Sequence, residues 1–176
     1  MDMERLNNVN LKAVQAFATQ VQQDASAGKK LKAVTGRWVF EEGQPQFTAQ
    51  LEHAGGTRTT EVDFAPFMGG QGLRPDPITY CLLGFASCFA GTFVAVASEQ
   101  GVALKSLEVT LENQVDLSRS LGLSDRPVTE GITAVLEIES DAPKAKLEEI
   151  RRLAEERCPG VYCVTNPIPF SSRLAD

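Results

Sequence analysis

Histidine is all but missing: the 176 residues hold one, His53. Neither a zinc centre built on several imidazoles nor a Ser-His-Asp hydrolase is expected from such a chain. Basic residues are outnumbered as well, with 17 Lys and Arg against 23 Asp and Glu and a net charge of −6. A surface that neutralises nucleic-acid phosphates or adheres to anionic lipids is therefore not expected. The first residues include Asp2, Glu4 and Arg5 and no apolar stretch of the kind that opens an export signal. The expected compartment is the cytoplasm, where structural disulfides are rare. Charge is absent from one long stretch, Pro77 to Ser98. That length could span a bilayer, but Thr79, Gly84, Ser87, Gly91, Thr92 and Ser98 dilute it and no basic cluster flanks it. It reads as a helix buried in a soluble core.

What is present describes an ordinary globule. Hydrophobic residues make up 43% and charged residues 23%, enough apolar content for a packed single domain. Residues 1–32 read as a helical extension. Leu11, Val14, Phe17, Ala18 and Val21 recur at helical spacing, with Asn8 or Asn10 as N-cap. The domain proper, residues 33–176, opens with a three-stranded meander. Trp38 to Phe40, Phe47 to Leu51 and Thr57 to Phe64 are separated by turn signals at Gly43 to Pro45 and Ala54-Gly55-Gly56. His53 reads as a turn-capping or exposed imidazole. Residues 64–75 are rich in Gly and Pro but lack the lysine and spacing of a phosphate-binding loop. No cofactor is expected there.

The charge-free helix follows, with Asp76 as N-cap and Pro77 at the first helical position. Gly84, Gly91 and Ser98 recur every seven residues and form a stripe of small side chains. Such a stripe admits another helix or backbone at close range. Alternating strands are expected from about Val102 to Val115 and around Ile132 to Ile138, flanking a surface loop over 116–130. Asp141 is expected to cap a second helix, whose apolar face carries Leu147, Ile150, Ala154 and Cys158. Pro159-Gly160 reads as its stop, and a last strand is expected over about Pro167 to Leu174.

Four cysteines carry the chemistry: Cys81, Cys88, Cys158 and Cys163. Free cysteine is often no more than a small buried hydrophobe. Cys88 and Cys158 both face the expected core from two different helices, so their thiols could meet. Cys158 lies at a helix C-terminus, where the dipole disfavours a thiolate. In a redox pair, Cys88 is thus the attacking thiol and Cys158 the resolving one, and Cys88 needs a cation from elsewhere to lower its pKa. Cys81 sits two turns before Cys88, about 10 Å along the axis, beyond disulfide reach. Metal binding is not expected, because Cys81 and Cys88 are stretched along a helix rather than presented by a turn.

The run Pro77-Ile78-Thr79-Tyr80-Cys81-Leu82-Leu83-Gly84-Phe85-Ala86-Ser87-Cys88-Phe89, followed some 70 residues on by Cys158-Pro159, resembles the OsmC/Ohr family of hydroperoxide-detoxifying proteins. The resemblance covers roughly residues 33–175 and includes the order of strands and helices. It implies an α+β fold of meander, long central helix and second helix, assembled as an intertwined homodimer. It further implies a peroxidatic cysteine at Cys88, a resolving cysteine at Cys158, an organic hydroperoxide as substrate and a dithiol as reductant. Peroxidase members carry a Glu just after the Pro that opens the central helix, which holds an Arg near the thiolate. Here that position is Ile78. Arg37, Arg58 and Arg74 are the candidate cations, and Cys81 a candidate accessory thiol. The alternatives to a peroxidase are a non-catalytic dimer that binds a small apolar or thiol ligand, and a sulfur-handling protein with a persulfide on Cys88.

Overall fold

The structure, a computed structural model, describes residues 4–175. The chain divides into two compact units, one of Met1–Val14 with Gly84–Asp176 and the other of Gln15–Leu83. Helices and small antiparallel sheets make up both, so the fold is α+β.

The second unit is built on a meander of β3 (Thr35–Trp38), β4 (Phe47–His53) and β5 (Gly56–Val62), in the order β3-β4-β5. The turn signals of the sequence mark its two connections. At the second turn the Gly55 N–H donates to His53 Nδ1 at 3.1 Å, so the lone histidine caps a turn. The meander leads through Asp63 into the Gly-rich loop. Asp63 is 1% exposed and accepts from the backbone N–H groups of Leu73 at 2.9 Å, Gln71 at 3.1 Å and Gln46 at 3.4 Å. One carboxylate thus folds the loop that delivers the chain to the central helix. Those N–H groups, Leu73 foremost, outweigh burial and hold the Asp63 carboxyl below the usual carboxylate range. A carboxyl depressed on folding stabilises the native state above its unfolded pKa, and that contribution is lost as pH falls through the folded pKa. Asp63→Asn is therefore expected to lower the urea midpoint at pH 7. The gap to wild type should close as pH drops below about 4. An equal gap at pH 7 and pH 2.5 would contradict this.

The central helix α2 (Pro77–Glu99) begins as its sequence specifies. Asp76 Oδ1 accepts from the N–H groups of Ile78 at 2.8 Å and Thr79 at 3.0 Å, and Pro77 occupies the first turn. Its C-terminal half carries the core: Phe89, Phe93, Val96, Ala97 and Ser98 are buried. Cys81, Leu83, Gly84 and Ser87 in the other half are exposed. By length and composition α2 could cross a membrane, but Phe89 and Phe93 instead pack with Ile150 and Ala154 of a second helix, α3 (Lys144–Arg157).

The other unit also contains a hairpin of β6 (Ser106–Val115) and β7 (Thr129–Glu139). Leu107, Val109, Leu136 and Ile138 of this hairpin pack on the same core cluster. An N-terminal hairpin of β1 (Arg5–Leu6) and β2 (Val9–Asn10) turns at Asn7 and Asn8, whose φ values are 51° and 64°. Asparagine tolerates this left-handed region. Asn7 then clamps the end of α2. Its Nδ2 donates to Ser98 Oγ and the Val102 carbonyl, and its Oδ1 accepts from Leu104 N–H. Asn10 caps α1 (Leu11–Gln23) by accepting from Ala13 N–H at 2.9 Å.

Three local expectations give way. α3 is preceded by Pro143 with no side-chain cap, while Asp141 binds Lys105. Pro159-Gly160 does not stop the helical path; it starts α4 (Pro159–Thr165) after a one-residue break at Cys158, where φ is −74° and ψ 120°. Proline cannot continue the ladder of α3, but its fixed φ suits the first position of a new helix. Residues 167–175 form no regular element. Pro167 and Pro169 lack the N–H groups that a ladder needs.

Candidate active site: a thiol pair beside Gly160

Phe85, Cys88 and Val161 pack on the cluster that joins α2 to α3. Position 88 lies one residue before Phe89, so its side chain sits at the margin of the core rather than inside it. Cys158 sits at the bottom of the break between α3 and α4, in line with Ile150 and Ala154 on the buried face, and is 1% exposed. The two sulfurs stand 3.7 Å apart, with the Cys158 thiol donating to Cys88. All four cysteines are free. The two thiols that the sequence singles out are thus in contact, one half-buried and one buried.

Gly160 completes the site, where the sequence alone marks only a helix stop. Its backbone N–H lies beside the Cys88 sulfur and favours the thiolate against burial. A Cβ at this position would lie 2.7 Å from Phe85 Cδ2 and 3.5 Å from Cys158 Sγ. The absence of a side chain is what lets the start of α4 close on the thiols. The only sequence signal was the run Cys-Pro-Gly itself, which specifies a break, a helix start and a close approach in three residues. Gly160→Ala is expected to push α4 off Phe85 at a stability cost of about 1–3 kcal/mol. Disulfide formation between Cys88 and Cys158 should slow by up to about a hundredfold, the scale of a ~1 Å misplacement of reacting groups. Stopped-flow oxidation of the reduced protein measures it, and an unchanged rate would show that the glycine is dispensable.

Burial pushes the Cys88 thiol above its ordinary pKa. The Gly160 N–H opposes that, while Cys158 and the charge on Cys163 reinforce it. Cys163 is exposed on α4, and Cys81 is exposed in the second turn of α2. The candidate cations lie in the other unit. Arg37 is exposed on β3 and Arg58 is exposed on β5 opposite Leu51. Arg74 is already bound to Glu61, Nε to Oε2 at 2.8 Å, and to the Leu73 carbonyl. Ile78 is half-buried in the first turn of α2. Among the described residues, no group of His, Cys, Asp and Glu is arranged to hold a metal ion.

The second unit also has an apolar hollow of about 410 Å³, lined by Trp38, Phe47, Val62, Phe64, Pro77 and Tyr80. The Tyr80 hydroxyl donates to the Glu61 carbonyl at 2.9 Å, which fixes the ring on the sheet.

Comparison with known proteins identifies the fold and the family. A search of curated proteins finds no match. Among solved structures, the chain is similar to an organic hydroperoxide resistance protein OsmC from Legionella pneumophila. The TM-score is 0.56 at 19% identity, over 77% of this chain and 91% of that one. An OsmC-like protein from Mycoplasma pneumoniae gives a TM-score of 0.55 at 17% identity, over 78% and 89% of the two chains. An organic hydroperoxide resistance protein from Elizabethkingia anophelis gives 0.50 at 15% identity, over 77% and 90%. These likenesses establish the fold. The sequence profile of the family described as OsmC-like protein matches residues 70–173, which takes in α2, both thiols and α4. The chain belongs to the OsmC family.

Proposed function

We propose that this chain is a cytoplasmic thiol peroxidase that reduces organic hydroperoxides. The observation that carries the reading is the Cys88–Cys158 contact at 3.7 Å, with the outer thiol accessible and the inner one buried. Cys88 is the nucleophile because a peroxide can reach it. Its thiolate attacks the O–O bond, the alcohol leaves, and a sulfenic acid remains on Cys88. Cys158 condenses with it, forming the disulfide and releasing water. An external dithiol then reduces the disulfide, so that two electrons have passed from dithiol to peroxide. The apolar surroundings at Phe85 and Val161 suit an organic substrate. Some of the similar solved structures are named organic hydroperoxide resistance proteins. Disappearance of cumene hydroperoxide in the presence of dithiothreitol tests the reading, and no turnover above the buffer rate would remove it.

The working form is a homodimer. Leu83 is 60% exposed, and added Cβ atoms at Gly84 and Gly91 would meet nothing within the chain. A charge-free helix with an open stripe of small residues needs cover, and a second copy of the same helix supplies it. Sedimentation at micromolar concentration is expected to give twice the 19.1 kDa of one chain. A folded monomer under those conditions would contradict the dimer.

The raised pKa of Cys88 favours a second reading, in which both thiols stay reduced and the fold binds a small apolar or thiol ligand. Saturable binding of such a ligand without loss of thiols would select it.

A further inference from the structure

Cys158 stands one residue from solvent on either side. It occupies the break between α3 and α4, and Arg157 before it and Pro159 after it are both exposed. Yet Cys158 itself is 1% exposed. A thiol at a break in the helical path has no turn of its own above it, so a side chain from elsewhere must cover it. The Phe85 ring is placed to do so. A Cβ on Gly160 would lie 2.7 Å from Phe85 Cδ2, 3.2 Å from Cε2 and 3.5 Å from Cys158 Sγ. Ring edge and sulfur therefore converge on the place where any other residue would carry its Cβ. Phe85 is half-buried and reaches this place from α2, three residues before Cys88. Residues at i and i+3 share a helix face, so one ring borders both thiols. Their exposure nonetheless differs: Cys88 is half-buried and Cys158 buried.

We propose that Phe85 covers the resolving thiol and is a specificity-determining residue, deciding which of two adjacent sulfurs a peroxide reaches. Its consequence for the chemistry rests on the peroxidase reading above; the cover itself does not. The disulfide forms only while one thiol of the pair is still reduced. The Cys88 sulfenic acid and the Cys158 thiol then condense to a disulfide and water. With the sulfurs 3.7 Å apart, a peroxide free to reach both would oxidise both. Two sulfenic acids leave no thiol for that condensation. A further hydroperoxide carries each on to sulfinic acid, with release of the alcohol. Thiol oxidation follows exposure, so the cover gives the pair its order. It also gives a reason for the glycine, because a Cβ at position 160 would push the ring off the sulfur.

Brief alkylation of the reduced chain with iodoacetamide, mapped by mass spectrometry, tests the cover without any peroxide. In wild type, Cys158 should label last of the four cysteines. In Phe85→Ala its labelling should accelerate about tenfold or more, since thiol reactivity follows exposure, while Cys81 keeps its rate. The faster rate should not change on adding urea well below the unfolding midpoint. Labelling through a local opening rises with urea, because an opening exposes surface; labelling through an uncovered route does not. An unchanged Cys158 rate, or one that climbs with urea, would overturn the proposal. Should alanine prevent folding, Phe85→Leu shortens the side chain and should give a smaller acceleration, and a wild-type rate there would overturn it equally. Under excess cumene hydroperoxide, Phe85→Ala should accumulate sulfinic acid on Cys158 where wild type forms the disulfide. Disulfide in wild-type yield would overturn the ordering role. Faster labelling of Cys158 with neither thiol oxidised by the hydroperoxide would uphold the cover and remove the peroxidase reading.

Discussion

Cys88→Ser is expected to abolish hydroperoxide consumption, to the rate of the buffer alone. The effect is total because no other sulfur combines the required properties. The nucleophile must be reachable, must lie beside the Gly160 N–H, and must have a second thiol within bonding range of its sulfenic acid. Cys158 is sealed at 1% exposure. Cys81 and Cys163 are exposed, but neither is the sulfur that the Gly160 N–H lies beside and to which the Cys158 thiol donates. A serine hydroxyl in that position is a far weaker nucleophile and does not form a sulfenic acid. Cys81→Ser should retain most of the activity. If Cys81→Ser were dead and Cys88→Ser active, the assignment of the nucleophile would be wrong.

Phe93→Ala is expected to cost about 3–5 kcal/mol, the usual range for a buried phenylalanine. Phe93 is fully buried, in one cluster with Phe89, Val96, Ile150 and Ala154. That cluster joins α2 to α3, and the same joint sets the distance between Cys88 and Cys158. With a urea slope of about 1–3 kcal/mol/M, the loss moves the midpoint by about 1 M or more. Leu123→Ala, at a site 76% exposed, should stay within about 0.5 kcal/mol of wild type. A Phe93→Ala protein as stable as wild type would mean that the joint is held by something other than this cluster.

Where a local signal decides the structure, the sequence shows it. Asp76 before Pro77 marks the start of α2 because cap and first turn are chemistry between neighbours. Strict alternation around Leu107 to Leu111 marks β6 in the same way, and two turn signals divide the meander. The meeting of Cys88 and Cys158 was also legible, since each lies on or beside the apolar face of a helix that has nowhere else to bury it. What the sequence hides depends on distant partners. Asn7 offers no pattern, and its role exists only because Ser98, Val102 and Leu104 lie within its reach. Asp63 resembles any surface aspartate until three N–H groups of two separate segments converge on it. The stretch from Pro167 to Leu174 suggests a closing strand, but a strand also needs a neighbour, and two prolines remove donors from its edge. No pattern ranks Arg37, Arg58 and Arg74. In the structure Arg74 is committed to Glu61, and the other two stand exposed on their strands.

Titration of accessible and total thiols, before and after one equivalent of cumene hydroperoxide, tests the central claim most directly. The reduced chain holds four thiols. The expected result is a loss of two per chain, in step with consumption of the hydroperoxide, with Cys88 in the disulfide found by peptide mapping. Four thiols remaining beside unconsumed hydroperoxide would contradict the account.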